Sequence, residues 1–132
     1  MSSIVFQYTA SAAIALSLSA TPTLADDTTP VTGEALSRLL SGNTAVGDWN
    51  DDQYRQYFDP SGATIYAVKG KQPSRGRWRV SDDGASYESL WNGPNWDAYE
   101  VVKTEAGHAW VTDSGTLYPF DMETGQQLTW PD

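Results

Sequence analysis

From residue 43 onward the chain is punctuated by tight-turn signals about every dozen residues, and no useful helical period runs between them. Asp59-Pro60-Ser61-Gly62 fits a type I turn, with proline pre-setting the second position and glycine closing it. Asp82-Asp83-Gly84, Ala106-Gly107, Asp113-Ser114-Gly115 and Thr124-Gly125 are further tight turns, and 70–74 and 93–95 are longer breaks. Between them lie runs rich in aromatic and β-branched residues: 53–58, 64–69, 76–81, 86–91, 97–104, 108–112, 116–120 and 126–130. Segment 43–49 offers one more strand. This is the pattern of an all-β antiparallel meander. Such a sheet exposes two edges unless it closes, so a small barrel or a strongly curled sheet is expected.

One helix precedes the strands. Thr32 is placed to cap a short helix over 33–41, with Glu34 in the first turn, where the helix dipole favours negative charge. Leu36, Leu39 and Leu40 share one side, Ala35 widens the stripe, and Gly42 suits a left-handed terminating residue. A helix this short holds only when its leucines dock, so it is expected to plug one end of the sheet or cover one edge. Residues 26–31 read as a loose polar arm. The chain has no cysteine, and the 14 aromatic residues after position 25, all 6 Trp among them, supply the bulk for a core without disulfides. A domain of this size leaves little room for an apolar ligand cavity as well.

The first 25 residues contain none of the 17 acidic and 8 basic side chains. Their small apolar stretch 10–20, the break at Pro22 and the small residues of Thr23-Leu24-Ala25 predict a secretory signal peptide over 1–25, cleaved before Asp26. The apolar run is too short, and too interrupted by Ser and Thr, to predict a membrane span. The expectation is therefore an exported protein of the periplasm or extracellular space, with a single β-rich domain over 26–132. Without cysteine it has no N-terminal lipid attachment, hence no stable membrane anchor after cleavage. All charged residues lie in that domain, whose net charge is −9. Nucleic acid and anionic lipid are poor partners for such an acidic surface.

The clearest local pattern is Arg75-Gly76-Arg77-Trp78-Arg79-Val80. Strand alternation puts Arg75, Arg77 and Arg79 on one face and Gly76, Trp78 and Val80 on the other. Guanidinium forks grip carboxylates and other anions, so this face is a candidate anion-binding patch. The competing reading is an outer face whose arginines pair with acids such as Glu88 and Glu100. Trp91-Asn92-Gly93-Pro94-Asn95-Trp96 is the candidate stacking tract, either with Trp96 near a loop tip or with both indoles packed in a barrel mouth. Asp48, Asp51 and Asp52 lack the spacing of a calcium loop and read as a solvated loop. His108 has no partner evident in sequence and reads as an exposed histidine opening a strand. No nucleophile elbow is present, and no carboxylate pair stands out among the 17 acids. No catalytic residue, metal ligand or cofactor is therefore expected.

The order Leu-rich helix, Gly42-Asn43-Thr44, Tyr54-x-x-Tyr57-Phe58, Asp59-Pro60-Ser61-Gly62, Gly76-x-Trp78-Arg79-Val80 and Tyr87–Trp91 resembles a group of short, uncharacterised bacterial exported proteins forming a domain of unknown function. The resemblance covers about residues 34–121. It implies a cysteine pair after the Gly-x-Trp-Arg-Val strand, at positions occupied here by Glu88 and Ala98, and it implies no activity. Gly47-Asp48-Trp49 after a short helix is similar to the opening of lipocalin-like barrels and of small periplasmic inhibitors of secreted metalloproteases.

These readings converge on a non-enzymatic periplasmic or secreted binding protein for a small anionic ligand or a protein partner. Its expected ligand-binding residues are Arg75, Arg77, Arg79, Trp91 and Trp96. The alternatives are an inhibitor of a secreted or periplasmic hydrolase, acting through its N-terminal arm or a loop, and a carboxylate-based enzyme acting on glycans.

Overall fold

The computed structural model describes residues 28–131, so the expected signal peptide lies outside the described residues. The elements are β1 (Thr29–Pro30), α1 (Gly33–Leu40), β2 (Asn43–Trp49), β3 (Asp52–Phe58), β4 (Ala63–Val68), β5 (Ser74–Val80), β6 (Tyr87–Leu90), β7 (Asp97–Thr104), β8 (Gly107–Val111) and β9 (Leu117–Thr124). Strands β2 to β9 pair antiparallel in chain order, and β9 returns to β2 with Phe120 opposite Gly47 and Met122 opposite Ala45. The meander is thus a closed eight-stranded barrel with one short helix. Closure removes the exposed edges that a meander would otherwise present.

Period-2 alternation sorts the side chains. Ala45, Tyr54, Phe58, Trp78, Tyr87, Val101, Trp110 and Phe120 point inward and form one buried cluster with Leu36 and Leu40 of α1. Both leucines are fully buried, each stabilising the fold by about 1.5–3 kcal/mol relative to exposure. The helix therefore plugs the end of the barrel where Phe58 lies. Phe58 sits edge-on to Trp78 and to Tyr87, with ring centroids 5.6 Å apart in both pairs. Backbone bonds tie the plug down: Gly33 N–H donates to Gly84 O (2.8 Å) and Gly42 N–H to Phe58 O (2.7 Å). Gly42 has φ +80°, the left-handed terminator expected, whereas Thr32 makes no side-chain cap bond.

Three expectations are corrected. Residues 126–130 are not a strand: β2 already has β9 and β3 as neighbours, so the closed barrel offers them no edge. They form a tail across the outer face, where Gln127 N–H donates to Thr44 Oγ1 (2.9 Å) and Arg55 donates to Gln127 O (3.0 Å). The N-terminal arm is not loose over 29–31, because Thr29–Pro30 pairs with Lys103 and Val102 of β7 and Val31 N–H donates to Val101 O. The aspartate-rich segment is solvated as expected, with Asp48, Asp51 and Asp52 all exposed, but it is a tight hairpin with Asp48 and Asp52 in its strands. Trp49 pairs with Asp52, and Asn50 and Asp51 make the two-residue turn at φ +50° and +73°.

Candidate functional site

The end of the barrel opposite α1 is open. The loops β2–β3, β4–β5, β6–β7 and β8–β9 rim it, and the inward residues below enclose a cavity of about 480 Å³. That is more room than the little expected of a domain this small. Its wall is aromatic: Trp49, Tyr54, Tyr66 and Trp91 near the mouth, with Tyr87, Tyr99 and Trp110 completing it. Two ring stacks sit on neighbouring staves of the barrel, and each makes an edge contact with a ring from beyond them. Trp49 stacks on Tyr118 (4.1 Å) and meets Tyr99 edge-on (5.6 Å), while Tyr54 stacks on Tyr66 (5.2 Å), which meets Trp91 edge-on (5.9 Å).

Two strand glycines make these positions possible. A Cβ at Gly76 would lie 2.5 Å from Leu90 O and 2.7 Å from the Trp91 ring. A Cβ at Gly47 would lie 2.9 Å from Pro119 O and 3.1 Å from Tyr54 Oη. Each glycine thus seats an aromatic ring directly against the backbone, one of the reasons glycine persists within strands.

Several polar groups in the wall are already hydrogen-bonded to one another. Trp110 Nε1–H donates to Tyr54 Oη (2.8 Å) and Trp91 Nε1–H to Ser89 Oγ (3.1 Å). Gln56 Nε2 donates both to Thr64 Oγ1 (3.0 Å) and to Tyr87 Oη (2.8 Å). Burial holds the tyrosine hydroxyls protonated: it pushes Tyr66 and Tyr87 up to about 12 and raises Tyr54 and Tyr99 as well. Among the described residues no Asp, Glu or His lines the cavity, and Arg75 is the charged residue at its rim.

The predicted site residues separate. Arg75 and Trp91 both line the cavity. Arg79 lies outside, held by Glu88 (2.6 Å) and stacked over Trp96 at 3.8 Å from the ring centroid. Trp96 is therefore half-buried beneath a guanidinium, not extended at a loop tip. Arg77 is exposed on the outer face, its guanidinium over Gly62. The arginine face exists, but its last member is already neutralised by Glu88, while Glu100 makes no ion pair among the described residues. His108 is half-buried, stacked on Phe120 (5.8 Å), and its pKa is lowered by burial and by Lys103.

The wall residues that sequence reasoning missed are Trp49, Tyr54, Gln56, Tyr66, Tyr87, Tyr99 and Trp110. Alternation along each strand and the lone glycines inside β2 and β5 were the available signals. No family model, curated protein or solved structure matches the chain.

Proposed function

We propose that this is an exported, non-enzymatic binding protein whose barrel interior takes up a small, flat molecule through the open end. The observation that carries the reading is the aromatic cavity of about 480 Å³, sealed below by α1 and open above. This volume is within the usual range for small-molecule sites, which are mostly apolar with a few placed polar groups. A wall of seven aromatic residues favours a planar ring over an open chain, because ring faces meet ring faces at low conformational cost. The tyrosine hydroxyls stay neutral near pH 7, so the wall offers hydrogen bonds rather than proton transfer. The outer face carries Arg77, Arg79 and Glu88, which suits water rather than lipid.

A melting-temperature screen tests the reading by comparing bicyclic ring compounds with open-chain compounds of equal carbon number. At 100 times Kd a true ligand stabilises by about 2.7 kcal/mol, roughly a 10–20 °C rise for a domain of this size. Ring compounds should raise the melting temperature and chains should not. An equal response to both, or to neither, overturns the proposal.

A further inference from the structure

The amide of Gln56 points to what the ligand must carry. Gln56 is buried in the barrel wall, and its orientation is fixed by its neighbours. Thr64 spends its only hydroxyl hydrogen on Tyr57 O (2.8 Å), so the atom that Gln56 presents to Thr64 must be the nitrogen. That nitrogen's second hydrogen goes to Tyr87 Oη. Gln56 Oε1 is left with no donor among the described residues. Nor is it sealed away: the one fully buried side-chain polar atom without a partner among the described residues is Arg55 Nε, on the outer face. Gln56 Oε1 therefore opens into the cavity that its residue lines.

At the other extreme stands Arg75. It is exposed at the rim, and its side chain makes no ion pair or hydrogen bond among the described residues. The cross-strand row Gln56–Tyr66–Ser74 runs across β3, β4 and β5 from Gln56 to Ser74, the residue before Arg75. Two strand spacings, about 10 Å, separate β3 from β5, close to the length of a fused two-ring compound with a substituent at each end.

From this arrangement, and resting on the binding reading above, we infer that the ligand is a flat fused-ring compound with a hydrogen-bond donor at its inner end, for Gln56 Oε1, and an anionic group at its outer end, for Arg75. The donor satisfies a low-dielectric acceptor, where an unmet group is costly. The anion stays in the wet rim, where a guanidinium pairs with it without full desolvation of either. The protein's overall charge of −9 would repel anions, so Arg75 also determines which face of the molecule an anionic compound approaches.

Three probes on the unmodified full chain test the inference by calorimetry: 6-hydroxy-2-naphthoate, 2-naphthoate (no inner donor) and 2-naphthol (no anion). The hydroxynaphthoate should bind at least tenfold more tightly than either. Equal affinity for hydroxynaphthoate and naphthoate overturns the Gln56 pairing but leaves the aromatic cup intact. Equal affinity for hydroxynaphthoate and naphthol overturns the Arg75 pairing in the same way. Binding of none overturns the ring-binding proposal and this inference with it. Arg75→Gln, at an exposed site, should erase the advantage over naphthol. Gln56→Leu should erase the advantage over naphthoate, and the probe series on the unmodified chain stands whether or not that variant folds.

Discussion

Replacing Gly76 with alanine tests how the mouth of the barrel is built. The added methyl would sit 2.5 Å from Leu90 O and 2.7 and 3.1 Å from two atoms of the Trp91 ring. The carbonyl belongs to β6, which is paired to β5 through Arg77 and Leu90, so it cannot retreat without disturbing that ladder. The indole can move, but only by losing its bond to Ser89 Oγ and its edge contact with Tyr66. Overpacking of this kind costs about 1–3 kcal/mol, and the lower backbone entropy of unfolded alanine returns about 0.5–1 kcal/mol. The net expectation is a loss of roughly 1–2 kcal/mol, which lowers the melting temperature by roughly 5–15 °C in a domain near 100 residues. The assay is thermal melting followed by near-ultraviolet circular dichroism, with a bicyclic ring compound titrated into the variant. Trp91 lines the cavity, so its displacement should also weaken ring binding. A variant that melts within about 1 °C of the parent, with an unchanged aromatic spectrum, would refute the claim that Gly76 seats Trp91.

Alkaline titration offers a second check. The folded pKa of Tyr87 is raised by burial to about 12 against an ordinary 10, so the neutral hydroxyl stabilises the fold. That stability is whole below pH 10 and drains as pH rises from 10 towards 12, by about 3 kcal/mol for this one side chain. Urea midpoints should fall steeply between pH 10 and 11.5, and Tyr87→Phe should flatten the slope; a midpoint level across that range would contradict it. Glu88 and Ala98 face each other across β6 and β7, and cross-strand Cα separations overlap those of disulfides. Glu88→Cys with Ala98→Cys should oxidise spontaneously and stabilise by roughly 2 kcal/mol, less the exposed Arg79–Glu88 pair it removes, worth at most about 1 kcal/mol. Mass spectrometry and melting under oxidising and reducing conditions read this out, and a pair that stays reduced in air counts against the register.

Much of the architecture was legible because turn chemistry is local. Asp59–Gly62 closes as a turn by its own atoms: Gly62 N–H donates to Asp59 O, and Asp59 Oδ2 holds the N–H of Ser61 (2.9 Å). Closure is not local, and it explains the misreading at the C-terminus. Leu128 and Trp130 after a Gly125 turn have the composition of a strand, but the edge they would occupy was already taken by β9. For the same reason segment 43–49, only an optional strand on composition, is indispensable as the stave between β9 and β3.

The site was less legible still. The three arginines share a face, as their spacing requires, yet spacing says nothing of Glu88 and Trp96, which come from two other segments and occupy Arg79 on both sides. The cavity depends on six aromatic residues from six strands, and Trp91 just after one of them, stopping short of one another, a long-range property that alternation alone does not encode. Gly47 and Gly76 carried a sign of it, since a lone glycine in a strand marks a close approach.

The helical plug has a kinetic meaning. A barrel stoppered at one end is a cul-de-sac, so any molecule that enters must leave by the same door, inner end last. Arrival and departure then answer to the same few rim residues, and a bulky extension on the outer end would trail into solvent without blocking entry. A ring compound tethered to a bead through its anionic end should still capture the protein, whereas the same compound tethered through its donor end should not.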